Sequence, residues 1–169
     1  MLQAGMDPIN LGNGLICLQT DADATAWPDM AAWCVAVGKV VAEGVPAYAK
    51  ARPWEVAVRV ASDDTVQGLN KEFRGKDKPT NVLSFPNDDD ELEDRWYVGD
   101  VVLAAPTVEA EAVAQGKRLE HHVCHLVLHG LLHLVGYDHI KPAEAAVMET
   151  LETKLLQILH IENPYMETV

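Results

Sequence analysis

Four histidines fall in one apolar run, His125-Leu-Val-Leu-His129-Gly-Leu-Leu-His133-Leu-Val-Gly-Tyr-Asp-His139. His125, His129 and His133 recur at every fourth position. A step of four along an α-helix turns about 400° and rises about 6 Å, so these rings share one face. Gly136 then ends the helix, because glycine readily takes the left-handed cap conformation. Tyr137 and Asp138 turn the chain and bring His139 back over the same face. Three neutral imidazoles gathered in this way suit a zinc ion with one position left open for water. Buried without partners, the same rings would cost several kcal/mol. His129, His133 and His139 are therefore the expected metal ligands. His125 sits a turn too early and is the weakest candidate for direct ligation.

The spacing matches the H-E-x-x-H-x-x-G-x-x-H motif of metzincin proteases at His129, His133, Gly136 and His139. Gly130 stands where those proteases carry a general-base glutamate. Without that carboxylate, peptide hydrolysis lacks its usual proton acceptor. The pattern points to an open metal site used for different chemistry.

A second stretch, Phe73-Arg-Gly-Lys-Asp-Lys-Pro-Thr-Asn-Val-Leu-Ser-Phe-Pro86, links a helix to a strand. With Lys71 just before it, it gathers Arg74, Lys76 and Lys78 on a chain whose net charge is −13. Gly75 and Pro79 permit a bent backbone whose N–H groups face an anion. Arg74 can grip a phosphate through its planar fork. The plain alternative is a solvated turn with Asp77 paired to a lysine. The overall acidity argues against a general nucleic-acid binder, so any RNA contact must rest on this local patch, a metal or a protein partner.

The elements that position these residues follow from periodicity. Leu15–Gln19 reads as a short strand. Pro28 opens a helix running to about Glu43, with Gly44 as its stop. Glu55–Ala61 alternates as a strand, with Val56, Val58 and Val60 on one face. Ser62 caps a helix through Phe73. Asn81–Phe85 is a third strand and Trp96–Ala104 a fourth, with Gly99-Asp100 at a bulge or close approach. Pro106 starts a helix ending near Gly116, and the histidine helix spans about Arg118–Val135. Pro142 opens the last helix, with Val147, Leu151, Leu155 and Ile158 as its apolar stripe. The expected fold is α+β: one domain over residues 1–169, with a small mixed four-stranded sheet, about five helices, and the metal site on a helix and the turn after it.

Composition supports a single folded unit. The chain has 169 residues, 49% of them hydrophobic. Asp88–Glu91 with Glu93 and Asp94 form an acidic cluster, read as a solvated loop. Cys17, Cys34 and Cys124 are scattered and odd in number, which favours buried free thiols in a reducing cytoplasm. Met1–Pro8 lacks the pattern of a signal peptide, and no apolar run is long enough to span a membrane.

Taken together, Arg74-Gly-Lys-Asp-Lys-Pro-Thr-Asn-Val-Leu-Ser-Phe-Pro86, Gly99-Asp-Val-Val102 and His129-Gly-Leu-Leu-His-Leu-Val-Gly-Tyr-Asp-His139 resemble the YbeY family of bacterial rRNA maturation factors. That family comprises zinc-dependent, single-strand-specific endoribonucleases. The resemblance implies that His129, His133 and His139 hold one zinc ion and that Arg74 serves RNA function. It implies a cytoplasmic protein acting in small-subunit rRNA 3′-end maturation and ribosome quality control. Its partners would be single-stranded rRNA, the small subunit, and a ribosomal protein or assembly GTPase. Arg74 and His133 are assigned to catalysis, and Arg74, Lys76 and Lys78 to RNA contact. The general base is open between His125 and Asp138. Two other classes remain to be weighed: a zinc hydrolase of another bond, such as a peptide, and a non-catalytic assembly factor with a structural zinc.

Overall fold

Val56, Val58 and Val60 point to one side of a central strand, and all three are fully buried. Around them the computed structural model describes residues 6–49, 52–87 and 95–165. The elements run β1 (Met6–Asn10), β2 (Gly14–Thr20), α1 (Met30–Gly44), β3 (Trp54–Ala61), α2 (Asp63–Arg74), β4 (Val82–Pro86), β5 (Trp96–Ala104), α3 (Ala105–Ala114), α4 (Leu119–Leu134) and α5 (Pro142–Ile158). The sheet order is β1-β2-β3-β5-β4. The inner pairs β2/β3 and β3/β5 are parallel, and both edge strands are antiparallel. The molecule is thus a single α+β domain with a mixed sheet, as expected. The acidic run 88–94 lies outside the described residues. Among the described residues, no helix is long and apolar enough to cross a membrane.

The sheet has five strands among the described residues, where the sequence predicts four. The extra one, β1, carries Pro8, which lacks an N–H and weakens a strand reading. The structure places it at an edge, where only one side of the strand must be paired. Gly99 behaves as expected on both counts. The β3/β5 register slips there, pairing Glu55 with Tyr97 and Val56 with Gly99, so one residue bulges. A Cβ at Gly99 would also run into the Phe85 carbonyl and Leu134.

Alternation along β4 and β5 divides the helices. Leu83 and Val102 pack with Val66 and Leu69 of α2. Ser84 and Val101, paired across the two strands, meet α4 on the other side. Within α2, the Ser62 hydroxyl accepts from the Thr65 amide, the expected N-cap. Tyr48, buried, donates its hydroxyl to the Leu131 carbonyl at 2.6 Å and so ties down the last turns of α4.

α5 departs from the predicted stripe. Val147 and Ile158 are exposed, and the buried face is Met148, Glu152, Leu155 and Leu156. A carboxylate occupies one core position, so an apolar count rotates the face toward the neighbouring residues.

Helices α4 and α5 end with the same paired hydrogen bonds as α3, whose Gly116 and Lys117 N–H groups reach the Val113 and Ala112 carbonyls. After α4, Gly136 N–H reaches the His133 carbonyl and Tyr137 N–H the Leu132 carbonyl. After α5, His160 and Ile161 repeat this with Gln157 and Leu156. Both are Schellman caps, which need one residue at positive φ. Gly136 supplies it at φ 100°, but His160 must adopt φ 61°. A side chain in that region costs about 1–2 kcal/mol. His160→Gly is therefore expected to stabilise the fold by about 0.5–1 kcal/mol, after the added freedom of the unfolded chain. Thermal melting should show a Tm rise of about 1–4 °C; an unchanged or lower Tm would refute the strain.

Candidate metal centre

α4 carries its histidines on a face that is neither core nor open solvent. Leu126, Val127, Leu128, Leu131 and Leu132 are buried, while His125, His129 and His133 are half-buried. The Schellman turn at Gly136 then reverses the chain. Asp138 Oδ1 accepts from the His139 amide at 2.7 Å and shapes that turn. His139 is thereby brought back over α4, its ring centroid 5.0 Å from that of His133 and 5.3 Å from that of His129.

One ring nitrogen from each of His129, His133 and His139 lies within 4.8 Å of the others. His129 Nε2 and His133 Nε2 are 3.0 Å apart. Two nitrogens bound tetrahedrally at about 2.0–2.1 Å from zinc stand about 3.3–3.4 Å from each other, so this spacing suits a shared ion. Burial, with help from His129 and His139, pushes the His133 imidazole down to about 4. It is therefore neutral at ordinary pH and keeps its lone pair, as a ligand must. The residues present thus fit a metal ion. The group holds three imidazoles and, among the described residues, no fourth cysteine or carboxylate ligand. That leaves a coordination position open, unlike the closed set of a structural zinc. Cys124, on the same helix, is a buried thiol pushed up to about 12 by burial and by Glu120.

The structure also brings in a residue that sequence reasoning missed. Glu152 of α5 is 0% exposed, directly behind the histidine face. Its Oε1 lies 2.7 Å from His129 Nδ1, and its Oε2 lies 2.8 Å from His125 Nε2. Tyr165 donates its hydroxyl to Oε2 at 2.6 Å. Burial alone would raise this carboxyl. The hydrogen bonds from His125, His129 and Tyr165 win, and hold it at about 2. The only signal in the sequence is a lone glutamate on an apolar helix face, and none marks Tyr165.

His125 has its Nε2 engaged by Glu152, and its Nδ1 is buried with no hydrogen-bond partner. Asp138 has one oxygen committed to the turn. Neither proposed base is placed above the three rings by these contacts.

Gly130 explains why the protease glutamate is missing. A Cβ there would come within 2.8 Å of Val101 Cγ1 and 3.2 Å of Ser84 Oγ. α4 lies against the sheet too closely for any side chain at this position.

The basic loop is built on α2. Asn70, buried, accepts from the Lys76 amide through its carbonyl and donates its side-chain amide to the Lys78 carbonyl. Lys76 and Lys78 are exposed. Asp77 does meet Lys71, at 3.8 Å, but both groups are well exposed, and such a pair is worth little. Arg74 turns the other way. Its Nη2 donates to the Ser84 carbonyl at 3.3 Å, while Ser84 Oγ donates to the Gly130 carbonyl at 3.4 Å. A single strand residue thus connects the guanidinium to the helix segment next to His129. Asn81, at the loop's end, donates to Glu111, which also meets His122 at 2.9 Å.

Three comparisons bear on this arrangement. The model of the family described as Endoribonuclease YbeY matches residues 10–160. An Endoribonuclease YbeY of Sphingopyxis alaskensis is 43% identical over 167 residues, covering 90% of this chain and 99% of its own. One from Paramagnetospirillum magneticum is 46% identical over 165 residues, covering 89% and 96%. One from Methylococcus capsulatus is 50% identical over 113 residues, covering 67% and 75%. A solution structure of a Thermotoga maritima protein aligns with a TM-score of 0.53 at 21% identity, over 89% of this chain and 99% of its own, which speaks to the fold alone.

Proposed function

The chain belongs to the YbeY endoribonuclease family and is an endoribonuclease, a hydrolase of RNA phosphodiester bonds, and from that premise we propose that it is zinc-dependent and cuts single-stranded rRNA. The further reading is small-subunit rRNA 3′-end maturation and ribosome quality control in the cytoplasm. Its partners there are the small subunit and a ribosomal protein or assembly GTPase. Residues 1–169 act as one catalytic domain. The observation that carries the reading is the convergence of three imidazole nitrogens beside a strand that holds an arginine.

His129, His133 and His139 hold the ion. When bound, a divalent ion there supplies Lewis-acid polarisation of a phosphoryl oxygen and a more acidic water. His133 contributes by staying neutral, its lone pair committed to the site rather than to a proton. Arg74 spends one donor on the Ser84 carbonyl, which aims its fork. Its other N–H groups meet the charge that develops on the phosphate during cleavage. Lys76 and Lys78 follow the backbone on either side and contribute a salt-sensitive attraction on a chain that otherwise repels RNA.

Arg74→Glu tests the reading. One donor aimed at developing charge is worth about 10²–10³ in kcat when water is excluded. Arg74 is exposed, so cleavage of a single-stranded RNA oligomer is expected to fall at least about tenfold. Zinc content should not change. Full cleavage by the variant would remove Arg74 from the mechanism.

A further inference from the structure

We infer that Glu152 is the positioning residue of the metal centre, and that Tyr165 locks it in place. The inference rests on the reading of His129, His133 and His139 as the ligands. It begins with what a carboxylate can do. A carboxylate oxygen can only accept hydrogen bonds, and those of Glu152 lie 2.7 Å and 2.8 Å from ring nitrogens of His129 and His125. Every ring nitrogen facing it must therefore carry the proton. His129 Nδ1 faces Oε1 at 2.7 Å, so His129 is the Nδ1–H tautomer. Its Nε2 then holds the lone pair, and Nε2 is the atom that meets His133. The carboxylate thus decides which nitrogen of His129 is available to a metal and fixes the plane of the ring. A carboxylate behind a ligating histidine also makes the imidazole a stronger donor.

The remaining contacts of Glu152 hold the carboxylate itself. Oε2 receives His125 Nε2–H and the Tyr165 hydroxyl. His125, the fourth histidine of the run, thereby acquires a role: it braces Glu152 from the same helix face that bears the ligands. Tyr165 closes the set from beyond α5, and its ring packs edge-on to His125 at 5.8 Å. A fully buried charge is costly unless its lone pairs are satisfied. Here three donors satisfy it, and two of them belong to the histidine run. Packing alone would be served better by leucine at this position of α5, between Met148 and Leu155.

The experiment measures zinc affinity of the full chain, stripped of metal and titrated with zinc alone against a chromophoric chelator. Wild type, Glu152→Gln and Tyr165→Phe are compared. Cobalt absorption spectra and the Tm of each metal-free protein are recorded alongside. Glutamine keeps the shape but opposes an N–H to one of the two imidazoles. Glu152→Gln is expected to bind zinc about 10–100-fold more weakly, with an altered cobalt spectrum and a metal-free Tm close to wild type. Tyr165→Phe should weaken binding about threefold or more while folding normally. A folded Glu152→Gln that binds within twofold of wild type overturns the inference. Should Glu152→Gln fail to fold, unchanged affinity in Tyr165→Phe overturns it instead. A wild-type chain that takes up no zinc would sink the metal reading itself, and this inference with it.

Discussion

His133→Ala is expected to lose stoichiometric zinc and to lower cleavage of a single-stranded RNA by at least about a thousandfold. The magnitude follows from what is removed. Disturbing a group that merely supports a ligand costs about 10–100-fold in affinity or activity. Deleting one of three ligands exceeds that, and the Lewis-acid contribution it carries is several kcal/mol, or about a thousandfold and more in rate. The fold should survive. His133 is only half-buried, and burial keeps its ring neutral. The check is single-turnover cleavage together with metal analysis of protein purified without nickel resin. Cleavage at the wild-type rate by a zinc-free variant would remove the metal from the mechanism.

Gly130→Glu, which restores the glutamate of the metzincin pattern, is expected to unfold the protein rather than create a peptidase. A Cβ at this position already presses on both methyls of Val101, at 2.8 and 3.0 Å. Val101 is 0% exposed and, being β-branched, is restricted at χ1. Overpacking of this kind costs about 1–3 kcal/mol. A carboxylate buried there without a partner adds several more. The sum is at least about 4 kcal/mol, a large part of the 5–15 kcal/mol typical of a folded domain. Gly130→Ala should lose less, because alanine regains about 1 kcal/mol of helix propensity. Denaturant unfolding measures both. A Gly130→Glu protein with the wild-type midpoint, or one that cleaves peptides, would contradict this account.

The sequence and the structure agree where spacing alone sets position. His129 and His133 share a face because a helix has 3.6 residues per turn, and Gly136 supplies the positive φ that returns His139. The caps and breakers Ser62, Pro106, Gly116 and Pro142 mark helix ends to within a residue or two. What could not be read depends on contacts between distant elements. β1 was hidden because Pro8 argues against a strand until its place at the sheet edge is known. Glu152 was hidden because a glutamate counts as solvent-facing until its three donors are seen, and that count also misplaced the apolar face of α5. The role of Ser84 as the link between Arg74 and Gly130 needs the β4/β5 register, which no local pattern specifies.

The contacts of Glu152 and Tyr165 give the centre a history as well as a shape. A polypeptide is made from its first residue onward, so the imidazoles of α4 leave the ribosome before the carboxylate that orients them. A chain released early would contain all three ligands, but His129 would be free to turn and present either nitrogen. Competence to hold the ion in its working arrangement thus comes only once Glu152 and Tyr165 have been added.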